Sequence, residues 1–146
     1  MSTIVKFFAA SGHEAAAAVV NGGPDGVSFE SLSYGNFDAE EALLEWESVF
    51  TGRSFDVLVA AGQPEVVADP GDGEGPILFA ASHALQDALA AADPYRLVEV
   101  GRLWVEERAA SGDVFDQEIA TGILSDLARL ARGLRGQDQR LYCWLA

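Results

Sequence analysis

A chain of 146 residues, 49% of them hydrophobic, can fill one packed interior but not two. A domain of that size buries roughly 70% of its unfolded surface without help from a disulfide or metal. The single cysteine, Cys143, excludes an intramolecular disulfide and a paired-cysteine zinc site, and the net charge of −14 disfavours direct binding to nucleic acid or an anionic membrane surface.

Thr3 to Ala10 is β-branched and aromatic and predicts a strand. It lacks the charged start and cleavage site of a signal peptide. The apolar run Ala15 to Val20 is far shorter than the roughly 20 residues of a membrane span. With Ala, Gly and Arg favoured over a single lysine, these features set the bacterial cytosol as the expected compartment. Ser11 is placed to cap a short helix over His13 to Val20, closed by Asn21-Gly22-Gly23-Pro24. Val27 to Ser33 alternates as a strand does.

The strongest local signal follows. Asp38 stands as an N-cap, with Glu41 three residues on in a capping-box arrangement. Ala39, Ala42, Leu43, Trp46, Val49 and Phe50 form one apolar stripe of a 3.6-residue helix. Glu40, Glu41, Glu45 and Glu47 are assigned to its solvated surface, and Gly52 to a left-handed C-cap. Ser54 caps a second short helix, Phe55 to Ala61. Glu65 to Ala68 and Ile77 to Ala80 read as short strands around a glycine-rich loop.

Ser82 then caps a helix to Ala92, and Asp93-Pro94 opens the next in cap-then-proline order. That helix carries a stripe of Leu97, Val98, Gly101, Trp104 and Val105, with Arg102 and Glu106 paired at i, i+4. Asp116 caps the last helix, with Ile119, Ile123, Leu127, Leu130 and Leu134 as its stripe. Arg129, Arg132 and Arg135 near its end suit the helix dipole. Arg140 to Ala146 reads as a closing strand. The order predicts one α+β domain over residues 1–146, a small mixed or antiparallel sheet with helices packed against it.

The candidate chemistry is sparse. Gly71-Asp72-Gly73-Glu74-Gly75 has neither the spacing nor the lysine of a phosphate loop, and its acids miss the alternation of a calcium loop. His83 and Asp87 share a helix face, but one such pair is too few ligands for a metal. Cys143, between Tyr142 and Trp144, reads as an inert core thiol. No metal or cofactor is expected.

The central and C-terminal parts, about residues 38 to 146, resemble the YfbM-like family of small bacterial proteins of unknown function. The matching features are the helix carrying Trp46 into Phe50-Thr51-Gly52, the Gly62 turn, Gly75-Pro76 before a short strand, and a helix capped at Ser82. Two later helices and a hydrophobic terminal strand complete the match. Glu47 stands where that family often has a histidine, and Ile77-Leu78-Phe79 where it usually has Arg-Tyr-Leu, so roles of those polar positions do not carry over. The resemblance implies an α+β fold and no activity.

Charge supplies the leading functional expectation. No lysine or arginine lies between Lys6 and Arg53, a stretch holding eight acidic residues. This predicts a non-catalytic, inhibitor- or immunity-like protein binding a basic partner through Asp38, Glu41, Glu45 and Glu47. The alternative is a small-molecule-binding protein or enzyme, with Tyr34, Trp46, His83 and Trp104 lining a cleft between sheet and helices. The chain is expected as a monomer or a weak homodimer, the latter if the strand Leu141 to Leu145 lies at a sheet edge.

Overall fold

In the computed structural model, residues 4–20, 31–35, 38–71, 75–134 and 139–146 are described, residues 31–35 by their backbone alone. The elements are β1 (Ile4–Ala10), α1 (His13–Ala17), β2 (Ser31–Gly35), α2 (Ala39–Thr51), α3 (Phe55–Ala60), β3 (Glu65–Ala68) and β4 (Ile77–Ala80). They continue with α4 (His83–Ala91), α5 (Pro94–Ala110), α6 (Gln117–Gly133) and β5 (Arg140–Leu145). Residues 21–24, expected to close the first helix, residues 27–30 of the expected strand Val27 to Ser33, the glycine-rich loop centre and Arg135 lie outside the described residues.

The five strands form one sheet in the order β2-β1-β5-β4-β3, and every pair is antiparallel. This is the expected α+β architecture, with the antiparallel alternative realised. The two ends of the chain meet at its centre: β1 pairs with β5 from Val5–Leu145 to Ala10–Arg140, and Ile4 and Ala146 exchange main-chain hydrogen bonds. Because β5 lies between β1 and β4, both of its edges are occupied. The edge pairing envisaged for a dimer therefore does not arise there.

Alternation along the strands builds a core on each face. Val5, Phe7, Ala9, Phe79, Leu141 and Cys143 face the large cluster shared with α2, α4, α5 and α6. Phe8, Ala10, Leu78, Ala80, Tyr142 and Trp144 face the opposite way, toward α1 and Val19–Val20. Burial pushes the Cys143 thiol well above its ordinary range, in keeping with an inert core residue.

The helix caps follow the sequence closely. Asp38, Ser54, Ser82, Asp93 and Asp116 each accept a main-chain N–H in the first turn of their helix, and Gly52 ends α2 at φ 76°. At α1 the expectation fails. Gly12 occupies the N-cap, no side chain caps the helix, and it stops after five residues in a turn at Ala18–Val20. A helix so short is held by tertiary contacts rather than by propensity.

The stripes also need correction. Val98 and Ile119 are exposed, whereas Leu97, Val100, Gly101, Trp104 and Arg108 are buried along α5. That set keeps the spacing i, i+3, i+4, i+7, i+11, and it rotates α5 so that Gly101 faces α6. A Cβ at Gly101 would stand 2.9 Å from Thr121 Oγ1, so the glycine permits the close approach of the two helices.

Candidate functional site

The predicted acidic face divides into three environments. Asp38 is exposed and caps α2, its Oδ1 accepting the Glu41 N–H at 3.1 Å. Glu41, half-buried, reaches α5. Glu45 and Glu47 are only 2% and 3% exposed and cannot meet a partner at the surface. The apolar stripe predicts a single buried face of α2 centred on Trp46. However, α2 packs on α4 as well as α5, and the residues on either side of Trp46 are covered by these neighbours.

Glu47 serves α4. Its Oε1 accepts the Ser82 hydroxyl at 2.5 Å, while Ser82 Oγ accepts the Leu85 N–H. The capping serine is thereby fixed by a carboxylate from another helix. Glu45 serves α5: Trp104 Nε1–H donates to its Oε1 at 3.2 Å, and Arg108 Nε lies 3.3 Å from the same oxygen. The Arg108 contact is a charge contact, since that N–H is not aligned for a hydrogen bond. The directed bonds of Arg108 run to Glu41, at 3.0 and 3.4 Å, and to Asp113 at 3.2 Å.

One nearly buried guanidinium, 7% exposed, thus joins carboxylates of α2 and of the turn after α5. Removal from water disfavours its charge, but Glu45 and Glu41 outweigh that and raise its pKa. For Glu45 burial dominates. It lifts the carboxyl from its ordinary 4.5 to about 7, against the opposing pull of Trp104 and Arg108, with Glu107 and Glu41 adding to the rise.

A stability change follows from this rise. The native carboxyl holds its proton more tightly than the unfolded chain does. Its contribution is therefore fully present below about pH 4.5 and is lost as pH rises through about 7. Glu45→Gln, which mimics the protonated state, should gain stability relative to the parent across that window, by on the order of 3 kcal/mol in urea unfolding. A difference that does not change with pH would refute the assignment.

Trp46 and Trp104 do not line a cleft. They are fully buried and meet edge to face with ring centroids 5.2 Å apart, between Phe7 and Phe115. His83 is exposed in the first turn of α4, and Tyr34 is placed only by its strand position opposite Val5. The structure therefore brings Glu41, Glu45 and Trp104 together around Arg108, and leaves Asp38, Glu47 and His83 apart from them.

A second polar grouping, absent from the sequence reading, lies across the sheet. Phe8, Tyr142, Ala80 and Glu65 form one transverse row over β1, β5, β4 and β3. Small Ala80 leaves room for His13 of α1 to bridge its neighbours, with Nδ1 2.9 Å from the Tyr142 hydroxyl and Nε2 2.9 Å from Glu65 Oε1. In the neutral ring the hydroxyl donates to Nδ1 and Nε2–H donates to the carboxylate. Arg140 stands 3.7 Å from the same Glu65 oxygen and donates to the Ala81 carbonyl. Burial raises the Tyr142 pKa; Arg140 opposes the rise and Glu65 adds to it, so the phenol stays protonated.

His13→Ala is expected to cost about 1–3 kcal/mol, because it strands the buried Tyr142 hydroxyl. Adding Tyr142→Phe should recover part of that loss in thermal or urea unfolding. Strictly additive costs would mean that the two side chains do not act as a pair.

A shallow depression of about 600 Å³ opens beside this grouping, lined by Ser11, Gly12, His13, Glu14, Ala15 and Ala18. Among the described residues, no three His, Cys, Asp or Glu side chains are arranged to hold a metal ion, and no helix is long and apolar enough to cross a membrane. The chain matches no protein-family model, no curated protein and no solved structure.

Proposed function

We propose that the protein is a non-catalytic interaction protein, inhibitor- or immunity-like, that presents an anionic surface to a basic protein partner. The supporting observation is where its arginines go. Arg96, Arg132 and Arg140 donate to main-chain carbonyls near the ends of α2 and α4 and just after β4. Arg108 is enclosed by carboxylates, and Arg102 and Arg129 pair with acids on their own helices. With the arginines held in this way against the protein's own carbonyls and carboxylates, the nine lysines and arginines still offset fewer than half of the 23 acidic residues, and the resulting negative potential favours encounter with a cationic surface.

The partner-binding face is accordingly redrawn at the adjoining ends of α2 and α5. Asp38 and Glu41 are kept, exposed Glu40 joins them at the edge, and Glu107 and Asp113 replace the buried Glu45 and Glu47. Titrating the isotopically labelled chain with a Lys/Arg-rich peptide should shift amides at 38–41 and 107–113, and the shifts should weaken as salt approaches ~0.3 M. Asp38→Asn with Glu40→Gln, which retains a capping side chain, should weaken binding. Shifts spread evenly over exposed carboxylates such as Asp87, or insensitive to salt, would count against the reading.

A second reading, small-molecule binding or catalysis, draws on the His13–Tyr142–Glu65 chain beside an open depression. Both ring nitrogens are already engaged within the protein, which favours a fastening role for the histidine. A thermal shift with nucleotides, sugars or metal ions that vanishes in His13→Ala would restore this alternative. The YfbM-like resemblance bears on fold and adds no activity to either reading.

A further inference from the structure

Arg108 is a single guanidinium serving three carboxylates of unequal exposure. Glu45 is enclosed, Glu41 half-buried and Asp113 exposed. The groups facing Glu45 are Trp104, Glu107 and Arg108 from α5 and Glu41 from its own helix, with Asp113 beyond α5 sharing the arginine. The N–H groups of Arg108 are aligned on Glu41 and Asp113, while Trp104 supplies the directed hydrogen bond to Glu45.

We propose that Glu45 and Arg108 form a proton-linked switch that sets how much negative charge the adjoining ends of α2 and α5 offer to a cationic partner. This rests on the partner-binding reading above. With Glu45 protonated, its carboxyl needs no counter-charge, and Arg108 stays with Glu41 and Asp113 and neutralises them. With Glu45 ionised, the buried carboxylate draws the guanidinium inward, because an unpaired charge there is the costlier alternative. Glu41 and Asp113 then share less of the arginine, and this end of the molecule carries one more negative charge. A cationic partner prefers the ionised state, so by linkage its binding expels the proton from Glu45.

The test has two independent arms on the full chain. In the first, the Trp104 indole N–H resonance is followed from about pH 5.5 to 8.5. It should show one transition near neutrality that is absent in Glu45→Gln, a change that keeps an acceptor for the indole. A parent resonance with no transition overturns the switch and needs no variant to fold. In the second, a Lys/Arg-rich peptide should bind roughly threefold or more tighter at the alkaline end in the parent, and equally at both ends in Glu45→Gln. Equal pH ratios in the two proteins overturn the switch. Absence of peptide binding at either pH overturns the partner-binding reading, while the indole transition still reports on Glu45 itself.

Discussion

Replacing Arg108 with alanine is expected to lower the unfolding free energy by about 3–5 kcal/mol at roughly pH 8, and by much less near pH 5.5. Arg108 provides the positive charge beside Glu45, which is enclosed by α5. Without it, alkaline solution forces a choice between an uncompensated buried carboxylate and uptake of a proton against the pH. Both are costly, and the cost of uptake grows with every unit above the pKa of the acid. In acid the carboxyl is already neutral. The remaining loss is then the packing of the arginine stem and its bonds to Glu41 and Asp113. Glu45→Gln combined with Arg108→Ala should remove most of the pH dependence. Urea denaturation of the four proteins at the two pH values makes the measurement. A loss of equal size at both would mean that Arg108 acts by packing alone.

The same site shows which parts of the molecule the residues announce. Asp38, Glu41 and Gly52 could be placed because capping is local: the donor, the acceptor and the left-handed residue lie within one turn of the helix end. The burial of Glu45 and Glu47 is set by residues 59 and 35 positions away, Trp104 and Ser82, and no local pattern carries that information. One signal was present. Arg108 continues the spacing of Leu97, Val100, Gly101 and Trp104 along the inner stripe of α5, and an arginine on an apolar stripe requires a carboxylate opposite. Glu41 and Glu45 offer the matching i, i+4 pair on α2. The His13–Tyr142 bridge joins positions 129 apart, across a sheet whose central strands are the two ends of the chain. Alternation within β5 separates Tyr142 from Cys143, but it does not reveal that a five-residue helix will place a histidine over Tyr142.

Trp46→Ala is expected to destabilise the protein by about 3–5 kcal/mol, with Trp46→Phe costing appreciably less. Trp46 is packed between Phe7 of β1 and Trp104 of α5, with ring centroids at 6.1 and 5.2 Å, and none of its surface reaches solvent. Its removal opens a void where α2, α5 and the sheet meet, and the stiff backbones around it can only partly close the gap. It also withdraws a wall from Trp104, whose indole N–H holds Glu45. The pH-dependent stability attributed to Glu45 should therefore weaken in Trp46→Ala as well. A tryptophan lining a ligand cleft would behave differently: truncation would cost little stability, and fluorescence from the intact protein would be quenched readily by acrylamide. Urea unfolding and quenching on the same samples separate the two roles. A cost below about 1 kcal/mol together with ready quenching would return Trp46 to the surface of a cleft.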